Sequence, residues 1–285
     1  MRRRSVVRTI GPAVVAVVAI GALYQLPASP FARHGFPERR VVAASSLPTQ
    51  NDVPQRVRAP STPSQQSPAV SSQQPPDGSS VPAQPGDVIT YAVAGTRAYA
   101  VLPGHPAVIG TTGRLMRFQI GIEGGITGVD RAAFAQFVRA TYGAPQGWAS
   151  HRLWRFQQVG PGQRADFTLL LVTPQTRDVI CGAAPDRYTS CRIGDKVVLN
   201  VARWVHAVPN YGAPLAAYRQ YMINHETGHR LGRGHELCPG PGQPAPVMQQ
   251  QTLGLHGCTP YSWPYLNEVR YQGRLGQYDD PVPHS

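Results

Sequence analysis

Between Asn224 and Cys238 the chain reads NHETGHRLGRGHELC, and this short run holds three of its nine histidines and two of its five glutamates. On an α-helix four residues advance the direction by about 400°, so His225 and His229 project almost together, one turn apart. Two imidazoles so placed can hold one metal ion. Glu226 lies about 100° round from His225, beside such an ion and free to act as a base. That is the arrangement of a zinc hydrolase, in which the carboxylate takes a proton from a zinc-activated water.

A catalytic zinc site needs a third protein ligand, and His235 is the candidate. Were the helix to continue, His235 would point about 240° away from His229. Gly232 removes the difficulty, because glycine takes the left-handed conformation that ends a helix and turns the chain back. Three protein nitrogens leave one position open for water, as catalytic rather than structural zinc requires.

The elements that must hold these residues are legible as hydrophobic periods. Residues 86–95 and 97–104 read as short strands closed by glycines. Residues 115–125 alternate, with Met116, Phe118, Ile120 and Ile122 on one face and Arg117 and Gln119 on the other. The pattern then turns helical. Asp130 is the expected N-cap, Phe134, Phe137, Val138 and Thr141 share a face, and Gly143 ends the helix. Residues 153–159, 165–172 and 196–200 read as further strands, with a loop around Cys181 and Cys191 between the last two. A second helix is expected over 214–231, followed by a loop-rich C-terminal part. Strands, helix, strands, helix and irregular tail make an α+β domain.

Composition sets the boundaries of that domain and its surroundings. Residues 1–26 begin with Arg2, Arg3, Arg4 and Arg8 and continue into an apolar run, which reads as a signal anchor or signal peptide. Residues 27–85, rich in Pro, Ser and Gln, cannot bury enough apolar surface to offset their ordering entropy and read as a disordered linker. The folded domain is then 86–285. The net charge of +12 is shared evenly, with nine Arg against three acids before residue 86 and eighteen basic residues against twelve acids after it. No basic, aromatic-interleaved stripe is visible, which argues against nucleic acid; membrane contact is expected through the N-terminal segment only. Four cysteines, Cys181, Cys191, Cys238 and Cys258, suit two disulfides outside the cytoplasm. Of three possible pairings the simplest is Cys181–Cys191 with Cys238–Cys258. A four-cysteine zinc site is disfavoured by the absence of any Cys-x-x-Cys spacing.

HETGHRLGRGH, residues 225–235, resembles the metzincin pattern His-Glu-x-x-His-x-x-Gly-x-x-His at every specified position. Metzincins also carry a methionine turn beneath the metal, and APVMQQQT supplies Met248. The stretch from Tyr221 to Pro264 is similar to an uncharacterised family of exported actinobacterial proteins. The layout is also similar to that of snapalysin, a small secreted metalloprotease, which has Asp where this chain has His235. Astacin-like and serralysin-like members place a Tyr two residues after the Met, where this chain has Gln250, so no tyrosine ligand is implied.

The resemblance implies a zincin- or metzincin-like domain, a twisted mixed sheet with an active-site helix. It implies one catalytic Zn²⁺ on His225, His229 and His235, with Glu226 as general base. The expected activity is that of an extracytoplasmic zinc metalloendopeptidase, either anchored or secreted, acting on polypeptide. The alternatives are a zinc amidase acting on cell-wall peptides and a non-catalytic, zinc-stabilised binding domain of the envelope. An extended substrate is expected to pair with a strand such as 115–122. Tyr261 and Tyr265 offer hydroxyls for an oxyanion, although no sequence signal puts either at the metal. His256 could be taken for a ligand but reads as a loop histidine near Cys258, and His105, His151 and His206 have no ligand spacing.

Overall fold

A computed structural model describes residues 88–182 and 186–283. The expected anchor at 1–26 and linker at 27–85 lie outside the described residues. Among the described residues no helix is long and apolar enough to cross a membrane.

The chain runs β1 (Thr90–Tyr91), β2 (Tyr99–Val101), β3 (Val108–Ile109), β4 (Arg114–Glu123), β5 (Ile126–Thr127), α1 (Arg131–Gly143), β6 (Trp154–Gln158) and β7 (Phe167–Val172). It continues with α2 (Pro174–Cys181), β8 (Cys191–Ile193), β9 (Lys196–Asn200), α3 (Val201–His206), α4 (Leu215–Arg230), β10 (Tyr265–Leu266) and β11 (Val269–Arg270). The main sheet has the order β3-β6-β4-β7-β9-β8, with β2 against the end of β4. Strand β4 is parallel to β6 and β7, and β7 to β9, whereas β2, β3 and β8 are antiparallel to their neighbours. The architecture is α+β with a mixed sheet.

Strand β4 shows why the sheet forms. Met116, Phe118, Ile120 and Ile122 are all buried, and the exposed Arg117 lies on the other face. Phe118 packs against Tyr142, Phe156 and Phe167. Each such ring buried on folding contributes about 1.5–3 kcal/mol. Alternate residues of β7 and β9, Leu169, Leu171, Val197 and Leu199, join the same core, which α1 and α4 cover. Leu170, Val172 and Val198 point the other way and meet Ile180 of α2. Helix α1 starts where the sequence indicates, with Asp130 Oδ1 accepting from the Ala133 amide at 2.9 Å.

Two expectations change. The segment between β7 and β9 is not simply a loop, because it contains α2 and β8, joined by the Cys181–Cys191 disulfide. Helix α2 has only eight residues and few apolar ones, so it carries little period; Thr173 before Pro174 at its start was the available signal. Buried Glu123 fixes that start, accepting from the Thr173 amide (2.7 Å) and the Thr176 hydroxyl (2.6 Å). The second correction concerns substrate pairing. Strand β4 pairs with β6 over 114–118, with β7 over 118–122 and with β2 over 121–123, so it lies inside the sheet and is not an edge for an extended peptide. Among the described residues, the free edge near the histidines belongs to β8.

Candidate metal centre

Helix α4 presents His225, Glu226 and His229, and it ends as the sequence indicates. Gly232 has φ +86°, its amide bonds to the His229 carbonyl at 3.1 Å, and the Arg233 amide bonds to the Gly228 carbonyl at 2.9 Å. These are the two hydrogen bonds of a Schellman turn. The reversed chain brings His235 back over the helix end. A built Cβ on Gly228 would collide with the Met248 sulfur and crowd the Trp148 ring. Met248 is fully buried there, directly under the turn that carries both helical histidines.

Each imidazole is oriented through Nδ1. His225 bonds to the Val247 carbonyl (2.8 Å), His229 to the Arg233 carbonyl (2.9 Å) and His235 to the Gln277 side-chain oxygen (2.9 Å). An oxygen acceptor demands a proton on Nδ1, which leaves the Nε2 lone pair unprotonated in the neutral ring. The three Nε2 atoms then face one another. His229 Nε2 lies 3.2 Å from that of His225 and 3.1 Å from that of His235. Two nitrogens each about 2.0–2.1 Å from a tetrahedral zinc ion are about 3.3 Å apart. His225, His229 and His235 can therefore hold a metal ion, their ligand atoms all lying within 4.8 Å of one another.

Electrostatics agree with a cation site. Burial and the neighbouring imidazoles hold the His225 pKa well below the ordinary value. Burial lowers His229 to about 4 and lowers His235 as well, so the triad is neutral at pH 7. Burial pushes the Glu226 carboxyl up to about 8, against the pull of Arg177 and Arg192. A divalent cation beside it would favour the carboxylate form. Glu226 and the triad line one cleft of about 440 Å³, together with Tyr221, Arg177, Arg192, Thr189, Gln250 and the C-terminal residues Gln277 and Asp280. A more open groove of about 790 Å³ lies at Gly104, Arg117 and Arg164 and holds none of these residues.

Residues 84–263 match the family described as "Protein of unknown function (DUF3152)". The chain belongs to this family. No curated protein and no solved structure matches. The family match spans the histidine triad and Met248 and ends at Trp263. The tail from Pro264 onward is thus additional to the matched region, yet it builds part of the centre. The Leu237 amide bonds to the Arg274 carbonyl (2.8 Å) and the Gly276 amide to the His235 carbonyl (3.1 Å). Glu236, buried, accepts from Arg270 at 2.7 Å, and Tyr278 stacks on His256, whose Nε2 bonds to Asp280 at 2.8 Å. The Cys238–Cys258 disulfide closes the intervening loop, a constraint of about 3 kcal/mol in the chain-entropy picture.

Other sequence candidates fall elsewhere. The Tyr261 hydroxyl donates to the Tyr265 carbonyl, Tyr265 packs against Trp148 and His151, and neither tyrosine lines the cleft. His105 Nδ1 accepts from the Ala107 amide and His206 packs on Tyr91. Sequence reasoning missed Tyr221, whose position one turn before His225 was a usable signal. It also missed Gln277, 42 residues from the histidine it orients, for which no local signal exists. Removing that acceptor should loosen the third ligand. Gln277→Leu should weaken affinity for a divalent ion by about 10–100-fold, whereas Gln277→Glu, which still accepts from Nδ1, should retain it. Competition against a chromophoric chelator measures both; equal affinity in the Leu variant removes Gln277 from the site.

Proposed function

We propose that this chain is a metzincin-like, extracytoplasmic zinc metallopeptidase. The observation that carries the reading is the convergence of three Nε2 atoms beside a buried, unpaired-by-arginine carboxylate in one cleft. Neutral imidazoles in this number and at this spacing suit Zn²⁺, which when bound supplies Lewis acidity towards a carbonyl and a water. Supporting features are the Gly232 turn, Met248 beneath the helix, and the two disulfides, which suit an oxidising compartment.

The chain's own residues divide the remaining work. His225, His229 and His235 hold the ion, each kept in the correct tautomer by an oxygen. Glu226 takes the water proton and delivers it to the leaving amine; burial raises its carboxyl to about 8, and a bound cation would draw it back down so that the base form is available at neutral pH. The outer edge of β8 is free among the described residues and can pair with an extended substrate by strand addition. Nothing in this arrangement requires a folded substrate.

The test combines metal analysis with digestion. The purified chain should contain one zinc per molecule and should cut members of an unbiased peptide library, and a chelator should stop it reversibly. Cleavage confined to cell-wall peptides redirects the assignment to an amidase. Zinc without any turnover leaves a binding domain.

A further inference from the structure

The cleft has a charge imbalance on the side of β8. Arg192 lies on that strand, is exposed, and lines the cleft with the triad and Glu226. The acids of that corner are already engaged. Asp178 accepts from Arg177 (3.1 Å) and from the amides of Asp186 (3.2 Å) and Arg187 (2.9 Å). Asp186 accepts from Arg177 (2.6 Å) and from the Thr189 hydroxyl (2.6 Å). Asp195 lies 3.6 Å from Lys196, and Asp280, which also lines the cleft, is held by His256. Among the described residues, no ion pair or side-chain hydrogen bond engages the Arg192 guanidinium.

An exposed arginine can be no more than a solvated charge. Three features set this one apart. It belongs to the free edge of the sheet, where an added strand would lie within side-chain reach. The adjacent Cys191 is tied to α2 by a disulfide, so the backbone that carries it is anchored. Arg177, the other cation of the cleft, is buried and consumed by Asp178 and Asp186, so the free positive charge is concentrated on Arg192.

We propose that Arg192 reads a carboxylate on the substrate close to the bond that is cut. The proposal rests on the peptidase reading and narrows it to an acidic substrate class. Guanidinium and carboxylate can meet in a bidentate pair, which an amide of the same shape cannot reproduce. The carboxylate belongs either to an Asp or Glu side chain or to a free chain terminus.

The zinc-loaded full chain is tested on matched peptides with Glu, Gln or Lys at each position flanking the cut, each with a free or an amidated C-terminus. Wild type should prefer Glu over Gln at one position by at least about tenfold in kcat/KM. A preference that follows the free terminus instead assigns the carboxylate to the chain end. Arg192→Gln should bring the ratio close to one, and Arg192→Glu should turn it in favour of Lys, with zinc content as in the wild type. No acidic preference in the wild type, or a preference that persists in Arg192→Gln, overturns the proposal. Binding to the Glu226→Gln variant, followed by fluorescence anisotropy of the same labelled peptides, separates the two claims. Selective binding of Glu peptides, lost when Arg192→Gln is added, without hydrolysis by the wild type, keeps the carboxylate site and removes the peptidase. Equal binding of Glu and Gln peptides removes the carboxylate site.

Discussion

Glu226→Gln should keep its zinc and lose its hydrolysis. The triad orients its own nitrogens through Val247, Arg233 and Gln277, and none of these contacts involves Glu226. The amide has nearly the volume of the carboxyl it replaces, and a neutral side chain is no harder to bury there than a carboxylate. What disappears is the proton acceptor. General-base catalysis is worth about 10²–10⁴-fold, so kcat should fall by at least that factor while metal content and thermal midpoint stay at wild-type values. Hydrolysis at the wild-type rate would falsify the assignment of Glu226 as base. A domain that uses zinc only to fold would have no turnover to lose.

Removing the central ligand should do the converse. His229 Nε2 is the nitrogen that neighbours both others, at 3.2 Å from His225 and 3.1 Å from His235. His229→Ala leaves two ligands and a gap between them, so stoichiometric zinc should vanish. The loss also appears in stability, because a ligand present at about 1,000 times its Kd stabilises the native state by about 4 kcal/mol. Wild type should therefore melt higher with zinc than with chelator, and the variant should melt at one temperature in both. Elemental analysis of the two proteins supplies the direct check. Zinc retained at one per molecule in His229→Ala places the ion elsewhere and dismantles the mechanism.

Local physics was legible in the sequence, and long-range assembly was not. The spacing of His225 and His229, the glycine stop at Gly232 and the cap at Asp130 are each decided within one or two helical turns, and the structure shows helices that begin and end there. The alternation of residues 115–122 was equally clear, but alternation reports which face of a strand is buried and carries no information about its neighbours. Only the pairing with β6, β7 and β2 reveals that β4 is interior, and that the sheet ends at β8 among the described residues. Strand β8 has three residues and no apolar period, so no periodicity could have found it. Gln277 and Arg192 are in the same position: an isolated Gln and an isolated Arg in unremarkable stretches become meaningful through what the fold sets beside them.

The clasp between the C-terminal tail and the His235 loop also fixes the order in which the centre can be completed. In a chain made or exported from its N-terminus, His225 and His229 emerge before Gln277, which turns the third imidazole, and Cys238 joins Cys258 only where an oxidant is present. A chain clipped before Gln277 keeps the Val247 and Arg233 acceptors that orient His225 and His229 and loses the one that orients His235. The complete three-histidine arrangement arrives with the last residues to emerge and the first oxidising surroundings they meet, so the grip on a cation is the final part of the molecule to be finished.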